Sequence, residues 1–363
     1  MNKDSISNIQ AVSILILFMS STSTVLMVAL SAQGDFWLAI ILSVLMASVM
    51  AIIFAQLYDI YPEKNFYDMC ESCFGKVLGG FICISYILFA FDEGALTLVN
   101  AKQFITETTL EETPRIITIL PLVFLCAWAV KAGIGVIGKW SKLVIIAFIS
   151  FVFIVVILLI PKMDANNLEP ILYNGARPLY EGTISAFSFP FGEIVFLSLV
   201  FNFKDRKSAY RVYLGGLLIS GVLALVIAST TVLILGVDFA TTSYFPVHTA
   251  ARVINIGHFI QRLEVIAVLI SAGGAFLKVS ILILAVCKGI AKLINFSDYR
   301  FIAVPVSLLM INFVDFFFDN RMTFLNYNSE IWVKYAIVFE IFIPVMVLFI
   351  AYIKRKRKRK IKA

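Results

Sequence analysis

Long apolar runs alternate with short polar connections along the whole chain. Most of these runs approach the roughly 20 apolar residues that one membrane-spanning helix requires. The pattern therefore predicts ten membrane-spanning helices, which we call spans 1 to 10. The spans cover about residues 9–30, 36–57, 80–105, 116–130, 142–160, 181–203, 209–235, 263–290, 301–318 and 332–353.

The composition strengthens the membrane interpretation. Hydrophobic residues make up 61% of the 363 residues and charged residues 15%, whereas soluble domains average about 45–50% and about 25%. These values exclude a soluble globule and leave no room for a separate water-soluble enzyme domain. We therefore expect an all-α membrane protein with a single membrane domain over residues 9–353.

The positive charge is concentrated at one end of the chain. The total is +7 and residues 354–363 supply +8, so residues 1–353 carry −1. Lysine and arginine also collect in alternate connections, which by the positive-inside rule places both termini in the cytoplasm. The polybasic tail then either contacts anionic lipid headgroups or docks a protein partner.

Two spans contain residues that weaken a helix at mid-span. Span 1 has the hydroxyl run Ser20-Ser21-Thr22-Ser23-Thr24, which predicts a break because these side chains compete for backbone hydrogen bonds. The alternative is that the hydroxyls bond back to their own helix or pack against a neighbour. Span 6 has Ser188-Phe189-Pro190-Phe191-Gly192-Glu193, where proline removes a backbone donor and the carboxylate must face protein or water. The alternative for span 6 is a kinked packing helix.

Spans 1 and 6 open the first and the second group of five spans. Interrupted helices at corresponding positions of two halves indicate a transporter-type binding site, and five spans per half give the halves opposite orientations. We therefore predict a five-plus-five inverted repeat, with repeats at about residues 9–160 and 181–353. An amino acid would bind with its carboxylate at the half-helix N-termini and its ammonium at free carbonyl groups.

A few ionisable residues fall inside the spans, where an unpaired charge is costly. These residues are Asp92, Glu93, Glu193, Lys278 and Glu340. We expect Lys278 to pair with Glu193 or Asp92, either within a functional site or as a purely structural bridge.

Enzymatic chemistry is not indicated by the remaining residues. The two histidines, His248 and His258, share one connection, and no catalytic or phosphate-binding motif is present. The five cysteines are an odd number and imply no disulfide framework. We predict that the chain is not an enzyme and has no cofactor or metal.

A family resemblance rests on five features: the ten spans, the broken span 1, Phe189-Pro190-Phe191-Gly192-Glu193 in span 6, Gln261-Arg262-Leu263-Glu264 before span 8, and the short basic C-terminus. With these features the chain resembles the endospore germination permeases, the B subunits of GerA-type nutrient receptors. That family belongs to the amino acid/polyamine/organocation superfamily, which implies a LeuT-like fold. One difference is that superfamily members commonly have glycines in the span 1 break, whereas Ser21-Thr22-Ser23-Thr24 contains none.

The resemblance implies a germinant-sensing subunit in the spore inner membrane. The implied partners are a larger A-type membrane subunit and a C-type lipoprotein subunit, and the implied ligand is a small amino acid. Two alternatives are an autonomous H⁺-coupled amino-acid permease, with Glu193 or Asp92 carrying the proton, and an ion channel opened by a nutrient.

The predicted pocket lies between spans 1, 3, 6 and 8. Small residues in span 8 either permit close helix packing or leave room for a ligand. The predicted ligand-binding residues are Ser21, Thr22, Ser23, Thr24, Phe189, Gly192, Glu193, Ser271 and Gly274, with Asp92 and Lys278 as a charge network. Residues 236–262 are predicted to form a lid over the extracellular mouth.

Overall fold

The computed structural model describes residues 6–108, 113–168, 172–173, 175–254, 263–317, 324 and 327–362. Within these ranges all regular structure is helical. The first half contains α1 (Asn8–Ser23), α2 (Phe36–Ile60), α3 (Phe66–Thr108), α4 (Arg115–Ala132) and α5 (Ile134–Leu159).

The second half has more and shorter elements. They are α6 (Ala176–Ala186), α7 (Ile194–Val200), α8 (Arg206–Leu235), α9 (Val237–Thr242), α10 (Pro246–Arg252), α11 (Leu263–Leu293), α12 (Ala303–Phe317), α13 (Val333–Ile337) and α14 (Ile343–Lys362). Span 6 thus corresponds to α6 with α7, span 8 to α11, and span 10 to α13 with α14.

The helices have the length and apolarity of a membrane protein. Seven helical segments of the described chain are long and apolar enough to cross a membrane. Three shorter apolar helices, Asn8–Ser23, Ile117–Ala132 and Arg300–Val314, fall on predicted spans 1, 4 and 9. The all-helical membrane fold is confirmed, while the count of ten spans stays a prediction.

Both predicted breaks are present in the backbone. Helix α1 ends at Ser23, and the chain becomes helical again only in the 3₁₀ turn Leu30–Asp35. In span 6 the π-helical turn Phe187–Phe191 separates α6 from α7, and Phe189 has extended dihedral angles (φ −156°, ψ 101°). The break in span 1 follows the hydroxyl run instead of lying at its centre.

The position of the first break has a local cause. The Ser21 hydroxyl donates to the carbonyl of Phe18 (2.8 Å), and the Thr24 hydroxyl donates to the carbonyl of Ser21 (2.9 Å). These side chains therefore bond back to their own helix and allow it to continue to Ser23. The helix ends at the point where the hydroxyl run ends.

Two helices begin earlier than the pattern predicts. Helix α3 begins at Phe66, and Gly75 (φ 79°) divides a short first segment from the long span. Helix α5 begins at Ile134, only one residue after α4, because Gly133 (φ 94°) makes the whole turn between them. Lys131, Lys139 and Lys142 therefore lie on helices near this turn, where their side chains can reach the membrane surface.

The polybasic tail is helical and continuous with span 10. The backbone of α14 is helical as far as Lys362, and the last residue of the predicted tail lies outside the described residues. The Lys354 ammonium donates to the carbonyl of Ser72 (3.0 Å), and Arg355 pairs with Asp59 (2.7 Å). The beginning of the tail is thus attached to the first half of the protein.

The close packing of α1 against α11 can be tested by substitution. A Cβ atom at Gly274 would lie 2.8 Å from Cβ of Ser21, whereas a Cβ atom at Gly273 would meet only Trp140 at 3.7 Å. We expect Gly274→Ala to destabilise the protein by about 1–3 kcal/mol through overpacking. Gly273→Ala is the matched control, because it changes helix propensity equally without a clash. Thermal unfolding of both variants in detergent measures the difference, and equal melting temperatures would contradict this packing.

Candidate ligand-binding site

Three charged side chains meet at the centre of the molecule. The Lys278 ammonium lies 2.7 Å from Oε1 and 2.8 Å from Oε2 of Glu193, and 2.8 Å from Oε1 of Glu93. All three side chains are buried, with relative exposures of 1% or less. We call Lys278, Glu193 and Glu93 the charge cluster.

Each member of the charge cluster comes from a different part of the fold. Glu93 lies on α3, Lys278 lies on α11, and Glu193 immediately precedes α7 at the break in span 6. Long helices α3 and α11 pack against each other, and α7 packs against both. Buried charges need partners of opposite sign and good geometry, so this cluster fixes the relative position of the three elements.

Further contacts surround the Lys278 ammonium. It lies 3.2 Å from the hydroxyl oxygen of Thr22, which brings span 1 to the cluster. It also lies 4.2 Å from the centre of the Phe189 ring and 5.3 Å from that of Phe18, distances at which an aromatic face attracts a cation. Lys278 therefore contacts both broken spans.

Asp92 does not join the charge cluster. Its carboxylate accepts a hydrogen bond of 2.7 Å from the Tyr327 hydroxyl. Successive residues of an α-helix point about 100° apart, so Asp92 and Glu93 face different neighbours. The sequence prediction paired Lys278 with Glu193 or Asp92; the structure brings Lys278 to Glu193 and adds Glu93 as the second carboxylate.

A helical periodicity could have identified Glu93. Thr97, Asn100 and Phe104 follow it at spacings of four, seven and eleven residues, which places them on one face of α3. The Thr97 hydroxyl donates to Oε1 of Glu93 (3.0 Å), and all three residues line the cavity described next. The polar residues Glu93, Thr97 and Asn100 within an apolar helix mark the face that points to the site.

A cavity lies beside the charge cluster, between spans 1, 3, 6 and 8. Its volume is about 430 Å³ when the open space at its mouth is counted. Its polar lining consists of Ser21, Thr22, Thr97, Asn100, Ser271 and Lys278. Apolar residues that include Val25, Phe104 and Phe189 complete the wall. The cavity wall thus combines six polar residues with a larger number of apolar ones.

The other predicted ligand-binding residues lie near this cavity but not on its wall. Thr24 lines a neighbouring cavity of about 590 Å³, and Ser23 is buried at the end of α1. Gly192 lies against the Glu340 carboxylate, and Gly274 lies against Ser21. Glu193 reaches the cavity indirectly, through Lys278.

Short helices α9 and α10 occupy the described part of the predicted lid. On α10, His248 packs edge-on against Phe104 of the cavity wall, with ring centres 5.5 Å apart. Phe245 packs against the same ring at 5.0 Å. Lid residues 255–262, which include Gln261 and Arg262 of the family motif, lie outside the described residues.

The residues that the structure describes contain no candidate metal site. No group of three or more His, Cys, Asp or Glu side chains there could hold a metal ion. The five cysteines are free thiols.

Removing the ammonium group of Lys278 from the charge cluster should strongly lower the free energy of unfolding. Lys278→Met leaves Glu193 and Glu93 buried without a counterion, and we expect a loss of about 3–5 kcal/mol in unfolding free energy. Lys278→Met combined with Glu193→Gln should recover part of this loss, since one of the two unpaired charges is then gone. Thermal unfolding in detergent measures both variants.

Lys292→Met is the matched control for that experiment. Lys292 lies on the same helix and also contacts two carboxylates, those of Asp68 and Glu71, but it is partly exposed. Its loss should cost about 1 kcal/mol or less, because solvent screens the pair. Equal destabilisation by the two lysine substitutions would contradict the central role of Lys278.

Comparisons with known proteins identify the family and the fold of the chain. The spore germination protein family matches residues 5–321. Spore germination protein KB of Bacillus subtilis (strain 168) is 25% identical over 367 residues, covering 100% of this chain and 98% of its own length. Spore germination protein XB of Bacillus anthracis is 24% identical over 257 residues, covering 69% of this chain and 70% of its own length.

A solved structure has the same fold. A Na⁺-coupled sialic acid symporter in a substrate-bound, outward-open state superposes with a TM-score of 0.63 and 11% sequence identity, covering 93% of this chain and 79% of the symporter. At that identity the likeness concerns the fold alone, which is the predicted LeuT-like fold, and the neighbour is a transporter. With the family match extending over most of its length, the chain belongs to the spore germination protein family.

Proposed function

We propose that this chain is the nutrient-sensing subunit of a spore germination receptor and that it binds a small amino acid in the central cavity. The observation that carries the proposal is the cavity itself, which lies between both broken spans and touches Lys278. Membership of the spore germination protein family supports the biological setting.

The chemistry of the cavity wall supports an amino acid as ligand. The hydroxyls of Ser21, Thr22 and Ser271 and the Asn100 amide offer hydrogen bonds to the carboxylate and ammonium groups of an amino acid. The apolar part of the wall suits a small aliphatic side chain. In superfamily members with glycines in the span 1 break, backbone groups are expected to contact the ligand. In this chain the hydroxyl groups of span 1 would make those contacts instead.

Ligand binding would act on the balance between two arrangements of the protein. Spans 1 and 6 form one group of elements and α3 and α11 form the other, and the two groups meet at the charge cluster. A ligand that contacts both groups favours the arrangement in which it makes its best contacts. In this proposal an A-type membrane subunit and a C-type lipoprotein detect the change. The protein acts in the spore inner membrane with both termini in the cytoplasm.

The second candidate function is that of an autonomous H⁺-coupled amino-acid permease. Its support is the fold shared with a Na⁺-coupled symporter together with the buried carboxylate of Glu193 and the partly buried carboxylate of Asp92. A permease would use the same cavity, so a test must separate signalling from transport.

Uptake measurements separate the two functions. Purified chain in liposomes should bind labelled amino acid without accumulating it, because a receptor subunit needs no completed transport cycle. Spores that lack the chain should fail to germinate with the same amino acid. Accumulation that depends on a pH gradient would instead favour the permease.

Removing a hydroxyl from the cavity tests the site. Thr22→Val keeps the side-chain size but loses one hydrogen-bonding group, and we expect the amino-acid concentration for half-maximal response to rise roughly two- to tenfold. Ser13→Ala is the control, since that hydroxyl lies on the same helix and donates only to the carbonyl of Ile9. An unchanged response of Thr22→Val would place the ligand elsewhere.

A further inference from the structure

Glu340 is a buried carboxyl that the proposed ligand site does not use. It lies in the π-helical turn Val338–Phe342, between α13 and α14, and its exposure is 0%. Among the described residues, neither of its carboxylate oxygens has a hydrogen-bond partner. An ionised carboxylate without donors or a counterion is very costly in a low-dielectric interior.

The Glu340 carboxyl lies directly against the break in span 6. A Cβ atom at Gly192 would overlap this carboxyl, so the glycine makes the space that the carboxyl occupies. The backbone N–H of Gly192 is not available as a donor, because it already donates to the carbonyl of Phe187. Glu340 therefore touches the residue that precedes Glu193 without gaining a partner for its charge.

The charged groups around Glu340 do not neutralise it. Glu93 and Lys278 are close enough to act on it electrostatically, and so is Tyr86 on α3. The Tyr86 hydroxyl donates to the carbonyl of Phe339 (2.7 Å). Lys278 is already matched by two carboxylates, so an ionised Glu340 would be a third negative charge facing one positive charge.

We propose that Glu340 is a proton-binding site and that its proton is transferable to Glu193. In the arrangement described, Glu340 is the neutral carboxylic acid and Glu193 is the carboxylate bound to Lys278. When the break in span 6 moves, the O–H bond of Glu340 breaks and a new O–H bond forms on Glu193. The total charge is unchanged, and the Lys278 ammonium exchanges Glu193 for Glu340 as its partner.

This exchange would link the ligand site to span 10. Lys278 contacts the cavity and the hydroxyl of Thr22, while Glu340 lies on the helix that continues into the polybasic tail. When Lys278 exchanges Glu193 for Glu340, its ion pair with span 6 is lost and an ion pair with span 10 is gained. The role in signalling rests on the proposed function, whereas the proton on Glu340 does not.

Infrared spectroscopy of the purified, ligand-free protein tests the proton directly. A protonated carboxyl has a C=O stretching band that an ionised carboxylate lacks, and this band shifts in D₂O. We expect one such band at neutral pH that Glu340→Gln removes and the exposed control Glu181→Gln leaves. Absence of the band from the unmodified protein would overturn the proposal, and so would its persistence in Glu340→Gln. If Glu340→Gln fails to fold, Glu340→Asp takes its place, and the band should then shift in frequency; an unshifted band would overturn the proposal.

The second measurement addresses the transfer. Glutamine keeps the shape of the protonated acid but cannot release its proton, so Glu340→Gln in the assembled receptor should bind amino acid within about twofold of the unmodified affinity and lose the germination response. A normal response would overturn the transfer. If the unmodified protein does not bind an amino acid at all, the proposed function is contradicted, whereas the infrared result on Glu340 still holds.

Discussion

The fold depends on one buried ammonium group. Lys278 is held by Glu193 and Glu93 at distances of 2.7 and 2.8 Å, in an interior where a lone charge would be costly. Because the three residues lie on α11, at the start of α7 and on α3, the cluster joins the broken span 6 to the two long helices that pack behind it. The contact with Thr22 brings span 1 to the same point.

The sequence predicts those features that depend on local backbone chemistry. Proline, glycine and consecutive hydroxyl residues change the energy of a helix wherever they occur, so both broken spans could be located without a structure. Charges within apolar runs are equally visible, and the expected pairing of Lys278 with Glu193 follows from the cost of leaving either alone. The family motifs added the fold, which the structural comparison supports.

Features that depend on side-chain direction do not follow from residue type alone. Asp92 and Glu93 are adjacent in sequence, yet one faces Tyr327 and the other faces Lys278, because one residue turns a helix by about 100°. Gly192 and Gly274 are predicted to bind a ligand, and a residue without a side chain can leave space for one. In the structure Glu340 occupies the space beside Gly192, and Ser21 occupies the space beside Gly274. Only the packed structure distinguishes space for a ligand from space for a neighbour.

The continuity of α14 makes span 10 accessible to measurement from outside the membrane. Since the helix extends from Ile343 to Lys362 without interruption, its basic stretch turns and tilts together with the buried part. A spin label or fluorophore near Arg357 would therefore act as the end of a stiff rod, whose length follows from a rise of about 1.5 Å per residue. Distances from such a probe to the Ile60 end of α2 would report the orientation of the membrane-embedded part of span 10.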